Sequence, residues 1–330
     1  MANHSKPIRS FNTIRNSQTK VRAKRRQTER IVLLSILATI ALIVLSLLIL
    51  GVCSIADAII PDTPSQDLGN NGGDITPPDI GEIVYHQITK QSSDVHIGEL
   101  IVVNENLEYQ FPAINLVNIS DSKTQVNGLD TYTPAIKTYK LEANAFEAFD
   151  KMMLKHYELF SDGSIKIGSA HRTEEEQKAF STPPGYSEHH TGYCLTLRRS
   201  NGDFLESDHW IYKNAQKYGF IVRYPNDKVE ITGVSDYDYC FRYVGVAHAT
   251  YIAEKGYCLE EYVKLLKTSY SDGTNLKIEG ADGNDYEVYY VPVSQSELTT
   301  FRVPSNYQYT ISGDNDSGFI VTVNLNAPKE

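Results

Sequence analysis

The sequence predicts a domain of mixed helices and strands, α+β in class, between an N-terminal apolar segment and a strand-rich C-terminal stretch. Three observations lead there. Phe146, Phe149, Met153, Tyr157 and Phe160 recur at helical spacing over 142–160 and form one core-facing stripe. Short β-prone runs, such as 164–169 and 220–224, alternate with helix signals. After Lys267, Gly, Asn and Asp turns punctuate four runs at about 286–291, 298–303, 306–311 and 318–324, which reads as a small antiparallel extension over 269–330. With 41% hydrophobic residues among 330, the chain can bury a sizeable core, and 22 Tyr against one Trp lean towards a β-containing, extracytoplasmic domain.

The N-terminus sets the compartment. Residues 1–30 carry nine Lys and Arg against one acid, Glu29. Ile31 to Leu50 is an uncharged run of twenty residues. At about 1.5 Å per residue it spans a bilayer core of roughly 30 Å. The block 31–51 is therefore expected to be a transmembrane signal anchor, with 1–30 as a basic cytoplasmic arm by the positive-inside rule. A cleaved signal peptide is the blander alternative, but the basic stretch is too long and no small-x-small cleavage site stands out. The expected location is the cell membrane, single-pass, with everything after Cys53 outside the cell. Residues 52–96, rich in Pro, Gly, Asp, Asn and Ser, are expected to be a disordered linker. The chain beyond residue 30 holds 22 bases and 40 acids, and this acidic body argues against a nucleic-acid partner.

Order is expected to begin near Ile97, with Gly98 to Asn104 as a strand. Thr173-Glu-Glu-Glu176 is a capping box that opens a short helix. Ser207 or Asp208 is expected to cap a helix over Trp210–Tyr218, which Gly219 ends. Phe220 to Tyr224 reads as a strand. Glu230-Ile-Thr-Gly leads into 234–245, after which a helix runs to Lys255 with Gly256 as its cap, and a second runs over 259–266.

The stretch from Pro184 to Thr196 carries the chemistry. A Pro-Gly turn is followed by Ser187, Glu188 and His189, and then by a short apolar run that reads as a buried strand. Buried polar groups cost a few kcal/mol without partners, so a polar cluster feeding a strand suggests a site. Of four Cys, Cys53 lies at the membrane edge and Cys194, Cys240 and Cys258 follow; an oxidising exterior permits one disulfide among them.

Residues 97–268 resemble the zinc D-alanyl-D-alanine carboxypeptidases of the VanY-like type, within the lysostaphin/hedgehog-like metallopeptidase group. Four blocks occur in the family's order. They are Ser169-Ala-His-Arg172-Thr with Gln177; Pro184-Gly-Tyr-Ser-Glu-His-His-Thr-Gly192; Trp210 through Lys217-Tyr-Gly-Phe-Ile-Val-Arg-Tyr-Pro225; and Glu230-Ile-Thr-Gly233 with Phe241-Arg-Tyr-Val-Gly245. The resemblance implies a small central antiparallel sheet with flanking helices. It also implies three zinc ligands (a His, an Asp seven residues on, and a later His) and a Glu three residues before that last His as general base. Three protein ligands leave a zinc position for water, whose pKa the metal lowers towards 7.

Carried over by position, His189 stands as a vestigial first ligand, while Thr196 and Cys240 occupy the other two ligand positions and Tyr237 the base position. No catalytic residue is then expected. Arg172 and Ser187 keep the substrate-holding positions, a guanidinium fork being suited to a carboxylate. His171 replaces a Tyr of the family and is a further candidate for substrate contact. Three readings of the sulfurs stay open: a Cys194–Cys240 disulfide, free buried thiols, or a rearranged zinc site from His189, Cys194 and Cys240. Asp236 and Asp238 are candidates for a relocated base, His190 is a weaker ligand candidate that faces away from His189, and Cys258 reads as core. The resemblance thus implies a pseudoenzyme that binds a peptidoglycan stem peptide or an envelope protein, without a cofactor, or with zinc if the ligands are rearranged. An active metallopeptidase with rearranged ligands is the alternative; a structural scaffold whose C-terminal strands do the binding is a third reading.

Overall fold

Alternation along one strand decides where the site lies. In Cys194–Arg199, Leu195 and Leu197 point into an apolar core, so period two sends Cys194 and Thr196 to the opposite face. The structure is a computed structural model that describes residues 82–113 and 115–329. These residues lie within one unit, Thr76–Glu330. The expected basic arm, the signal anchor and most of the linker lie outside them, as does Cys53. Among the described residues no helix is long and apolar enough to cross a membrane.

The strands in chain order are β1 (Tyr85–Gln91), β2 (Leu116–Asn118), β3 (Gln125–Val126), β4 (Leu129–Asp130), β5 (Thr133–Pro134), β6 (Lys140–Glu142), β7 (Ile165–Ser169), β8 (Cys194–Arg199), β9 (Phe220–Val222), β10 (Cys240–Tyr243), β11 (Leu276–Glu279), β12 (Asp285–Pro292), β13 (Leu298–Pro304), β14 (Tyr307–Gly313) and β15 (Gly318–Pro328). The helices are α1 (Ile119–Ser122), α2 (Ala143–Phe160), α3 (Glu174–Gln177), α4 (Trp210–Asn214), α5 (Val229–Thr232), α6 (Val246–Lys255) and α7 (Leu259–Ser269). The fold is mixed α/β. Its five-stranded central sheet has the order β5-β7-β8-β10-β9; β5 runs parallel to β7 and the other neighbours are antiparallel. One face of this sheet packs on α2 through Phe146, Phe149, Met152 and Met153.

The amphipathic stripe of α2 departs from the expected one near its end. Met152 and His156 are buried, Tyr157 is half-buried and Phe160 is 53% exposed. The helix ends at Ser161 in a left-handed conformation, φ 51°. The Thr173 capping box forms as expected. The helix expected over 210–218 is instead α4 followed by a 3-10 turn, Ala215–Tyr218, and its cap is His209, whose Nδ1 accepts from the Ile211 N–H at 3.2 Å. Cys258 is buried at the cap of α7, in keeping with a core role.

Two stretches differ more. Residues 100–103 are buried and 98, 99 and 104 half-buried, but the stretch joins no ladder; Leu100 N–H donates to Ser312 Oγ and Val102 N–H to the Asp314 carbonyl. Residues 85–96, expected within the disordered linker, form β1 and a 3-10 turn, Ser92–His96. β1 pairs with β13 from Tyr85↔Pro304 to Gln91↔Leu298. Its polar sequence gives no hydrophobic period, because it is held by main-chain pairing to a distant strand. The four C-terminal strands fall where expected. Three of them, β12, β14 and β15, form a sheet with a further strand, β11, in the order β11-β12-β15-β14, while β13 pairs with β1 instead. The four-stranded sheet shares a core with α6 and α7, where Val263 and Leu266 meet Val288 and Ile320. His248 of α6 spans this core, bonded to Tyr262 Oη and Thr322 Oγ1.

Candidate functional site

The polar stretch before β8 is a 3-10 turn, Glu188–Thr191, rather than the start of a strand. Ser187 caps it by accepting from the His189 N–H at 3.3 Å, and Gly192 closes it with φ 74°. The turn lets two adjacent histidines serve different partners. His190 donates from Nδ1 to the Arg172 carbonyl at 2.8 Å and accepts at Nε2 from the Gly185 N–H at 3.0 Å. Both of its nitrogens are used by backbone, so it has no ligand role.

His189 is buried, and its Nδ1 lies 2.8 Å from the Ala170 carbonyl. A carbonyl only accepts, so Nδ1 carries the proton and Nε2 keeps a lone pair. That lone pair meets the Tyr237 hydroxyl at 3.0 Å. Burial and the neighbouring Arg172 push the His189 pKa down to about 3, against the opposing pull of the Ala170 bond. Burial raises that of Tyr237, so the tyrosine is the donor. A metal-binding histidine commonly rests its other N–H on a carbonyl in this way. Here a tyrosine proton occupies the metal's side.

Beneath this pair lie the sulfurs. Cys240 of β10 sits opposite Thr196 of β8, and Cys194 opposite Arg242, so the two cysteines are diagonal neighbours on one face. Their Sγ atoms are 2.6 Å apart and both are buried. Burial and Cys194 raise the Cys240 pKa. The expected three-ligand set does not fit a catalytic zinc, because Thr196 offers only a hydroxyl and the His189 nitrogen is engaged. One ligand atom each from His189, Cys194 and Cys240 does lie within 4.8 Å of the others. Two thiolates on one tetrahedral zinc stand about 3.8 Å apart, so these sulfurs would have to separate to share a metal.

A cavity of about 710 Å³ opens over this floor, with Arg172, Ser187, His189, Tyr237 and Tyr239 in its walls. Arg172 Nε donates to Ser169 Oγ at 3.1 Å, and Nη1 to Gln177 Oε1 at 2.6 Å. Phe180 lies 3.8 Å from its guanidinium carbon. A guanidinium has five donors, and these bonds fix its plane while leaving Nη2 for a ligand. Phe180 and the aiming role of Gln177 were not anticipated; the only signal was a Gln in the same block as Arg172. His171 is not among the residues that line this cavity. Asp236 lines the rim with φ 55°, whereas Asp238 turns to the Asn226 amide at 3.1 Å and is not in the walls. Neither acid has the base's place next to the His189 nitrogen, which Tyr237 holds.

The pairing of Glu188 was not anticipated either. The side chain is 1% exposed and lies between two buried arginines, bonded by Arg223 Nε at 2.6 Å and by Arg242 Nη1. Arg223 also forks onto Glu260 at 2.7 and 3.0 Å, and Arg242 Nη2 donates to the Glu99 and Ile101 carbonyls. This network ties the turn before β8 to β10, α7 and the 98–104 segment.

The fold and groove define a mixed α/β domain in which a buried arginine, Arg172, stands beside a histidine, His189, in the cavity wall. The chain belongs to the VanY family of D-alanyl-D-alanine carboxypeptidases. The family's profile, described as VanY, D-alanyl-D-alanine carboxypeptidase, matches residues 129–246. A D-alanyl-D-alanine carboxypeptidase of Enterococcus faecium is 32% identical over 250 residues, covering 71% of this chain and 78% of the relative. Another, from Enterococcus faecalis, is 28% identical over 63% of this chain and 80% of its own. Among solved structures, the vancomycin-resistance D,D-dipeptidase VanXYg, bound to a D-Ala-D-Ala phosphinate analogue, matches with a TM-score of 0.63 and 28% identity, over 73% of this chain and 99% of that one.

Proposed function

We propose that this chain is a membrane-anchored, extracytoplasmic D-alanyl-D-alanine carboxypeptidase homologue that binds a peptidoglycan stem peptide, or the C-terminus of an envelope protein, without cleaving it. The observation that carries this is the engagement of His189 Nε2 by the Tyr237 hydroxyl, beside an Arg172 guanidinium that still faces the groove. Arg172 holds the ligand's terminal carboxylate, Ser187 donates its hydroxyl proton next to it, and Phe180 covers the guanidinium. His189 takes no proton from an attacking water, since its Nε2 already accepts one from Tyr237.

The experiment uses the full chain in detergent with a pentapeptide ending in D-Ala-D-Ala. Saturable binding that Arg172→Ala abolishes is expected, with no release of D-alanine even with added zinc. Release of D-alanine that His189→Ala abolishes would overturn the reading. The anchored, outward-facing topology is checked on intact cells, where added protease should digest the C-terminal domain and leave the basic arm intact.

A second reading rests on the proximity of His189, Cys194 and Cys240. If the sulfurs part, one imidazole and two thiolates would hold zinc, which supplies Lewis acidity and a bound water when present. Zinc at one equivalent, with two fewer titratable thiols in the loaded protein than in the stripped one, supports this reading; a missing thiol pair in metal-free, unreduced protein supports the disulfide.

A further inference from the structure

A second cluster of metal-ligating side chains stands away from the groove. His156 near the end of α2, Asp162 in the loop after it, and His209 before α4 each offer one ligand atom, all within 4.8 Å of one another. The cluster sits by Arg199, the last residue of β8, whereas Cys194 at the other end of that strand lies under the groove. Five residues of extended chain separate the two ends by about 16 Å.

An independent observation points to a ligand. His156 is 2% exposed; its ring interacts with the Asp162 backbone, but its Nδ1 is buried without a hydrogen-bond partner, the one such side-chain atom among the described residues. A buried polar atom without a partner is costly, and a native structure that keeps one usually has an ion or water there. The other two members retain ligand capacity. Asp162 accepts from the Ser164 N–H and from Arg199 Nη1, one bond on each oxygen, so each oxygen keeps a lone-pair site. His209 Nδ1 takes the Ile211 N–H at 3.2 Å. Metal binding at either of its ring nitrogens gives up this bond, since Nδ1 is then occupied or must carry the proton.

We propose that His156, Asp162 and His209 form a divalent transition-metal site, of the zinc or nickel class, that staples the end of α2 to the start of α4. Two imidazoles and one carboxylate suit these ions, and they leave a position for water. Charge is compatible: Asp162 and Glu206 flank the single cation Arg199. The staple fixes the end of α2, where Phe160 is exposed. It is independent of the groove and of whether the groove cleaves anything.

Trp210, the sole tryptophan, reports on the site, its ring lying 5.8 Å from that of His156. The full chain, stripped with a chelator, is titrated with Ni²⁺ while tryptophan fluorescence is followed. Saturable quenching of more than half the emission at one equivalent is expected, with recovery when Zn²⁺ displaces the Ni²⁺. His209→Ser keeps a capping side chain and removes the ligand, and His156→Phe keeps the ring packing; each should abolish the quenching while the stripped variants stay folded by circular dichroism. Quenching that survives both variants, that is absent from the wild type at millimolar Ni²⁺, or that His189→Ala removes while His209→Ser does not, overturns the proposal.

Discussion

Tyr237 shows how far one side chain can change the meaning of a motif. Its hydroxyl gives the His189 lone pair a permanent partner in a buried setting, where an unmet acceptor costs about 1–3 kcal/mol. Tyr237→Phe keeps the ring, which packs edge-on to Tyr239 at 4.8 Å, and removes only the donor. The variant should lose about 1–3 kcal/mol of stability by urea unfolding. An unchanged midpoint would mean that water or a metal already serves His189. The sequence showed Tyr237 at an altered position, but its bond to His189, 48 residues earlier, arises from tertiary packing.

At the scale of elements, the turn before β8 is held by buried charge as well as by its own hydrogen bonds. Glu188 is the shared counter-ion of Arg223 on the chain after β9 and Arg242 on β10. Burial works against the Glu260 carboxylate, but Arg223 more than offsets it and holds its pKa below the usual range. Removing one partner of a buried pair leaves an uncompensated charge and costs about 3–5 kcal/mol. Glu188→Gln should therefore lower stability by about that much in denaturant titrations, far more than Glu175→Gln on the exposed face of α3. Equal effects would show that the network adds nothing to the fold. The acid and both arginines were visible inside the recognised blocks, yet their pairing was not. Sequence order separates them by 35 and 54 residues, and only the β8–β10–β9 register brings them together.

At the scale of the whole molecule, buried histidines set a pH limit. Burial, with Arg172, holds His189 down to about 3, and burial alone brings His248 to about 3, from an ordinary value of 6.5. Unfolding lets both rings take a proton below pH 6.5, while in the folded chain they stay neutral. Their stabilising contribution is whole above pH 6.5 and falls away as the pH drops towards 3, by up to about 1.4 kcal/mol per pH unit for each ring. Urea midpoints should fall from pH 7.5 to pH 5, a window above the ordinary carboxylate range. A flat profile would show that both histidines are solvated.

The sequence by itself determined the class of fold, the α2 stripe through Met153, the Thr173 capping box, the four later strands and the family to which the groove belongs. Each of these rests on local periodicity, on a cap within one turn, or on contiguous motif blocks. Tertiary structure alone decided that polar residues 85–91 are a strand, that His171 is not among the residues lining the cavity, that Tyr237 meets His189, and that His156 keeps an unpartnered nitrogen. These depend on contacts between distant residues, and neither a hydrophobic period nor a short motif carries that information.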